Sequence, residues 1–336
     1  MDFSSELDAT LQRLRSHAKA GEWHDALLLL RGEGEAARAH PELATMRAEA
    51  ELRTGHPREA RQWLASALPS IERSGDRAAL RKAVNQLGVA EVELGALDDA
   101  EHVFGRALEL ARNDGDDLLV AHATNNMGAI ANIRGHREEA LALYQLAIPA
   151  YQRLGNVAGL AQSLHNMALS FRHLGQLARA SEYEQRAMEY AVECASGFLV
   201  ALAWRGRAEL SLLLGDARLA EVGAQRAAAQ FAEVPDPIRE ADALRVVGAA
   251  RLTLQRVNDA RAALDRGLSL AREHGSRLVE GETLRVLAEC FVAQGDSELG
   301  RRELTAAIGI FESLGAEEQR SEAVTWAARV WESPLP

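Results

Sequence analysis

The sequence predicts an all-α solenoid of about eight helix-turn-helix repeats followed by a capping helix. Three observations carry that prediction. A G-x-x-x-x-A signature recurs every 40 residues, at Gly55–Ala60, Gly95–Ala100, Gly135–Ala140, Gly175–Ala180 and Gly215–Ala220. A second row of turn residues keeps the same period at Gly75, Gly115, Gly155, Gly275 and Gly315, with Ala195 and Pro235 in the remaining places. A small residue stands seven before each turn: Ala48, Gly88, Gly128, Ala168, Ala208, Gly248 and Ala288. A period of this length in several independent markers is the signature of stacked supersecondary units.

Each element follows from local chemistry. Turns at 21, 55, 95, 135, 175, 215, 255 and 295 divide residues 1–316 into repeats; Gln255–Ala260 and Gly295–Gly300 are degenerate copies, and Gly21–Ala26 lies 34 residues before Gly55. In a typical unit helix A runs from about 77 to 94 and helix B from about 98 to 113. The second-row glycine suits the left-handed residue that ends a helix. It is followed by Asp76, Asp116, Asn156, Ser196, Asp236 or Ser276, types that accept a bond from the free N–H groups of a helix start. Pro237 suits a first helical position, and only Ala316 breaks the series. Glycine in mid-helix costs about 1 kcal/mol against alanine, so Gly88 and its equivalents imply close approach of helix B.

The first repeat departs from the pattern. Leu14 stands where a small residue belongs, and Gly32 and Gly34 in "RGEGE" are expected to weaken its second helix. That repeat should therefore be the least stable. Arg207 occupies a slot that is apolar elsewhere (Leu87, Met127, Leu287). Residues 317–332 read as the capping helix of a terminal segment, 317–336. Trp326 and Trp331 are expected to pack on the final repeat, with a dimer contact at Trp331 as the alternative.

With the small residue in helix A, the G-x-x-x-x-A turn, and Phe104 or Tyr144 four residues after its alanine, the chain resembles tetratricopeptide-repeat proteins. The 40-residue period and "NNMG" are similar to the longer variety in kinesin light chains, Pins/LGN-type spindle adaptors and bacterial Rap-type regulators. The resemblance covers about residues 5–315 and implies a right-handed superhelix with a concave, ligand-facing inner wall. It does not imply one function, because those families bind unrelated things. Rap-type regulators carry an added N-terminal effector bundle; repeats that begin near residue 5 leave no room for one, so any effector is expected to be a separate protein.

Composition narrows the class. The 336 residues are 47% hydrophobic and 5% aromatic, with a formal net charge of -11, which weighs against nucleic-acid or anionic-membrane partners. Lys19 and Lys82 are the only lysines, a usage that suggests a GC-rich bacterial genome. Two cysteines, Cys194 and Cys290, imply no disulfide framework and point to a reducing cytoplasm. The N-terminus has no secretory n-region, and no apolar run approaches the roughly 20 residues of a membrane helix. No nucleotide or metalloprotease motif is present. "DGDD" at 114–117 lacks the rest of a calcium loop and reads as a helix cap. His165 and His173 are eight apart, about 12 Å along a helix, too far to share a metal. No enzyme activity, cofactor or metal is expected, and both cysteines read as packing residues.

Candidate site residues come from the inner wall. With the turn glycine as fifteenth, slots 2, 5, 9 and 12 of helix A share one face. Slot 5 reads Asn85, Asn125, His165, Arg205, Arg245 and Arg285, polar throughout and cationic toward the C-terminus. Slot 2 contributes Lys82 and His122, slot 9 Val89 and Leu169, and slot 12 Asn132 and Arg172. Asn85 and Asn125 are expected to pair with a ligand backbone, and Asn126 to lie toward the repeat junction. The arginines should meet acidic side chains or a free C-terminus, and Val89 and Leu169 should bury ligand side chains. The function implied is a non-catalytic adaptor or scaffold that binds an extended peptide or partner helix, as a monomer or weak homodimer. The alternatives are a peptide-responsive sensor and a self-assembling structural subunit.

Overall fold

The computed structural model describes residues 3–20, 22–32 and 40–331. Among them the chain forms 17 helices and no strand. Eight antiparallel pairs follow one another: α1 (Phe3–Ala20) with α2 (Trp23–Gly32), α3 (Pro41–Arg53) with α4 (Pro57–Ser74), α5 (Arg77–Leu94) with α6 (Leu97–Asp114), and α7 (Asp117–Ile133) with α8 (Arg137–Arg153). The remainder are α9 (Val157–His173) with α10 (Leu177–Glu193), α11 (Gly197–Leu213) with α12 (Ala217–Glu233), α13 (Pro237–Thr253) with α14 (Val257–Glu273), and α15 (Arg277–Ala293) with α16 (Ser297–Leu314). The terminal helix α17 (Glu317–Trp331) closes the stack. Each helix packs mainly on its sequence neighbours, and odd-numbered helices also touch the next odd-numbered helix.

The boundaries arise as the turn chemistry predicts. Asp76, Asp116 and Asp236 accept capping bonds from the backbone N–H three residues on, each at 3.0 Å; Asn156 does so at 2.7 Å and Ser196 at 3.3 Å. Ser276 makes no such bond, which corrects its assignment as a cap. Asp216 and Asp296 cap the second helices of their repeats, a role the spacing had not suggested. Where glycine is missing, Ala195 (φ 51°) and Gln255 (φ 60°) adopt the left-handed conformation themselves.

The small slot in helix A is filled from helix B. A Cβ on Gly128 would lie 2.6 Å from Cε1 of Tyr144, and one on Gly88 2.5 Å from Cε1 of Phe104. Both rings are fully buried. Cys290 is buried and its thiol is pushed up to about 11 by that burial; Cys194 is partly buried and its thiol donates to Ala191 O. Gly32 is the last residue of α2, so the cost of an interior glycine does not apply to it, while Gly21 and Gly34 lie outside the described residues. In the terminal helix, Trp326 and Trp331 meet edge to face at 5.3 Å and pack against the core of the last repeats.

The superhelix is tight enough for successive turns to touch. His274 Nδ1 lies 2.6 Å from Gly55 O, and the His56 and His274 rings meet at 5.5 Å. A Cβ on Gly55 would stand 2.4 Å from Pro237, and one on Gly95 2.3 Å from Leu314. Arg239 reaches Glu93 at 2.8 Å, and Glu318 in α17 pairs with Arg137 and lies 3.4 Å from His173. Contacts therefore recur after about five repeats (Gly55 to Pro237 and His274), so that the coil closes on itself around a channel. The accessible surface, 15320 Å², exceeds the roughly 13,500 Å² expected of a compact monomer of this mass.

A pair of substitutions tests the packing. Gly105→Ala, on α6 with no atom within 4 Å of its added Cβ, should stabilise by about 0.5–1 kcal/mol. Gly128→Ala has the same helix-propensity gain, but its methyl must displace Tyr144. Denaturant unfolding should show a net loss for Gly128→Ala of about 1–3 kcal/mol; equal gains at both sites would contradict the packing described.

Candidate functional site: the inner channel

The odd-numbered helices line the channel, whose two halves differ. In the N-terminal half α3, α5, α7 and α9 surround a cavity of about 580 Å³. Its far wall comes from the next superhelical turn: Phe198 of α11, and Asp236 with Arg239 at the start of α13. A second cavity of about 470 Å³ adjoins it toward α1 and shares Glu49, Ala78 and Lys82 with it. The Lys82–Glu49 ion pair, 2.6 Å, stands between the two.

Four predicted site residues line the larger cavity: Lys82, Asn85, Val89 and His122. His122 lies 3.0 Å from the Tyr151 hydroxyl, and burial lowers its pKa, so the ring is neutral at physiological pH. The two neighbouring asparagines exchange their expected places. Asn126 lines the cavity and donates to Asn85 Oδ1 at 3.4 Å. Asn125 is 4% exposed and accepts from Ser163 Oγ of α9 at 2.9 Å. The reason is curvature: α9 leans over the trailing edge of the α7 face and covers slot 5. Asn132 is buried in the same way, accepting from Ser170 Oγ at 2.8 Å and from Arg137 Nη1 at 2.7 Å.

The C-terminal half is occupied by its own side chains. Arg205 Nη1 lies 3.0 Å from both Glu209 and Asp242. Arg245 reaches Glu209 and Asp242 at 2.7 Å each and Glu282 at 3.2 Å, while Arg172 also pairs with Glu209. Three guanidinium groups thus balance three carboxylates. The three arginines surrounding Glu209 hold its carboxyl well below the usual range despite burial, and Arg245 and Arg205 lower that of Asp242. Burial raises the carboxyl of Glu282. Arg285 pairs with Glu289 at 2.6 Å and is half-buried. The arginine row is therefore not a free cationic surface, because the acidic residues of slots 2 and 9 already neutralise it. Leu169, on α9, is partly buried and does not line either cavity.

His165 continues the network inward. It lies between Glu184 Oε1 (2.8 Å) and Arg205 Nη2 (3.3 Å) and is buried. Glu184 holds the place that Phe104 and Tyr144 fill in earlier repeats and is 2% exposed. A Cβ on Gly206 would collide with its carboxylate at 2.4 Å. The charged residue at that core position was the available signal, and sequence reasoning passed over it. "DGDD" acts structurally: Asp116 caps α7, and Asp114 pairs with Arg77 and Arg81. No described helix is long and apolar enough to cross a membrane.

A family model for the tetratricopeptide repeat matches residues 76–153 and 119–191, and the same helix pairing continues on both sides of that stretch. Residues 76–191 carry tetratricopeptide repeats. No curated protein sequence matches it. Among solved structures, this repeat protein is similar to a Rap protein complexed with competence and sporulation factor (17% identity, 98% of each chain, TM-score 0.61). It is also similar to the Rap conjugation gene regulator of plasmid pLS20 in complex with the Phr* peptide (15% identity, 84% of this chain and 75% of that one, TM-score 0.68). A third likeness is to the APC/C hetero-tetramer Cut9-Hcn1 (15%, 94% and 56%, TM-score 0.63). At these identities the likeness concerns the fold of the repeat array.

The ion network makes a pH-dependent prediction. Removing one partner of a buried pair costs about 3–5 kcal/mol, so Glu209→Gln should be strongly destabilising at pH 7. Glu209 has a depressed folded pKa, so its contribution is present above the unfolded carboxylate value and lost as pH falls through the folded one. The stability gap between wild type and Glu209→Gln should therefore narrow as pH drops below about 4.5. A gap independent of pH would show that Glu209 acts through packing alone.

Proposed function

We propose that this protein is a non-catalytic interaction module that holds an extended peptide, or an extended segment of a partner protein, in the N-terminal half of the channel. The observation that carries this reading is the 580 Å³ cavity with Asn85, Asn126 and Gln162 on three successive inner helices. Cavities of roughly 300–1,000 Å³ with apolar walls and a few placed polar groups are typical ligand sites. Leu52, Val89 and Phe198 supply the apolar part here. Amides offer both donor and acceptor, which suits a peptide backbone. That one similar structure holds a Phr* peptide supports the same reading. With Arg172, Arg205, Arg245 and Arg285 paired to carboxylates of the protein itself, that row offers no free cationic surface to an acidic partner.

Panning a random-peptide library on the purified chain tests the proposal. Ala78 is exposed and borders both cavities. Ala78→Trp should block the channel without disturbing the core, and peptide affinity should fall about tenfold or more with the melting temperature nearly unchanged. Peptides that bind Ala78→Trp at full strength would place the site elsewhere.

One observation favours a regulatory variant of this reading. The cavity is lined by both superhelical turns, so a ligand inside it contacts α3 to α9 together with α11 and α13. A ligand shifts a conformational equilibrium by its differential affinity for the two states. A bound peptide should therefore hold the turns together. X-ray scattering on saturation with a selected peptide should give a smaller or narrower distribution of dimensions; an unchanged profile leaves a static scaffold.

A further inference from the structure

The cations that line the larger cavity are Arg53, Arg81, Lys82 and Arg239, against the carboxylates of Glu49, Glu93, Asp116 and Asp236. The numbers balance but the pairing is uneven. Lys82 holds Glu49 at 2.6 Å, Arg81 holds Asp116 at 3.1 Å, and Arg239 holds both Glu93 at 2.8 Å and Asp236 at 3.2 Å. Arg53 is left over. Among the described residues it has no carboxylate partner and no hydrogen-bond acceptor, and it is exposed where it borders the cavity. In this it differs from Arg205 and Arg245, which are enclosed by the carboxylates of their own network.

What does surround Arg53 is aromatic. It is the last residue of α3, and its guanidinium stands 5.9 Å from the Trp23 ring of α2 and 5.8 Å from the Phe198 ring of α11. The Arg239 guanidinium lies 5.2 Å from the same Phe198 ring, so two cations stand by it. Ring faces attract a guanidinium, but they are poor acceptors for its five N–H groups, which stay available in their planar fork. A carboxylate matches that fork with two parallel, charge-assisted bonds. The net charge of -11 acts against an acidic ligand at long range. A preference for one must therefore come from a local contact, and Arg53 is the lining cation able to make it.

We propose that Arg53 is the carboxylate-receiving group of the channel, and that the peptide held there presents a carboxylate to it, from an Asp or Glu side chain or from its own C-terminus. Asn85 and Asn126 serve the backbone of neighbouring peptide units. Phe198 belongs to the next superhelical turn, so the carboxylate sits where the two turns meet. This inference rests on the peptide-binding reading above and adds the ligand's charge class and its anchoring contact.

The test uses the full chain and three pools of random octapeptides, all N-acetylated and without Lys or Arg. The first is neutral with an amidated C-terminus. The second is amidated and carries one Asp or Glu at a random position. The third has a neutral sequence and a free C-terminus. Affinity capture should retain the second or the third pool about tenfold better than the first, and which of them responds identifies the source of the carboxylate. In Arg53→Met that ratio should fall to about one, with the melting temperature nearly unchanged because the side chain is exposed. Equal or better capture of the neutral amidated pool by wild type overturns the inference, as does a carboxylate preference that survives in Arg53→Met; in both cases peptide binding stands. Retention of no pool above the Ala78→Trp background sinks the peptide-binding reading and this inference with it.

Discussion

On the inside of a tight coil, each inner helix presses against the next, and the polar groups on that face bond chiefly to one another. The rest of the site depends on this crowding. Gln86 bonds Thr45, Asn125 bonds Ser163 and Asn132 bonds Ser170, each pair joining one odd-numbered helix to the next. Farther along, ions replace amides: Arg172 with Glu209, Arg205 with Asp242, Arg245 with Glu282. Buried ion pairs barely repay the cost of leaving water, yet losing one member is expensive. The C-terminal half is thus a closed set of mutual obligations. Space remains in the N-terminal half, where Ala78, Asn85 and Asn126 are among the residues that border the channel.

The fold was legible because repeat periods report local chemistry. Left-handed turn residues, capping aspartates and small mid-helix residues each act within a few residues of their neighbours. The identity of the groove-facing asparagine was not legible. Adjacent helical residues differ by about 100° in direction, and both Asn125 and Asn126 fall within a broad inner arc. Which one is covered depends on how far the next repeat leans, and that is set by the pitch of the whole array. The arginine row was misread for another reason. Slot 5 taken alone is cationic, but Asp242 and Glu282 in slot 2 and Glu209 and Glu289 in slot 9 lie beside it on the same face. Read together, the columns alternate in sign and predict neutrality.

Glu184 shows how a local exception spreads. A carboxylate where a ring belongs needs a buried partner, and His165 reaches it from the inner face. Gly206 then has to lack a side chain to make room, and Arg205 extends the chain of contacts to Glu209 and Asp242. One polar core residue thus commits slot 5 of two repeats to structure and removes them from any ligand.

The cavity lies at the seam between superhelical turns, and that position matters more than its volume. The seam is held by polar and packing contacts together: the Arg239–Glu93 pair, the His274 contact with Gly55, the close approach of Pro237 to Gly55 and of Leu314 to Gly95, and the Glu318 contacts with Arg137 and His173. Burial and the nearby Arg172 and Arg137 push the His173 imidazole down to about 3, so it stays neutral and adds no ion pair there. A ligand that bridges both walls adds its own contacts to the same sum. Its affinity and the closure of the coil are consequently one linked quantity, because whatever opens the seam also dismantles the far wall of the site.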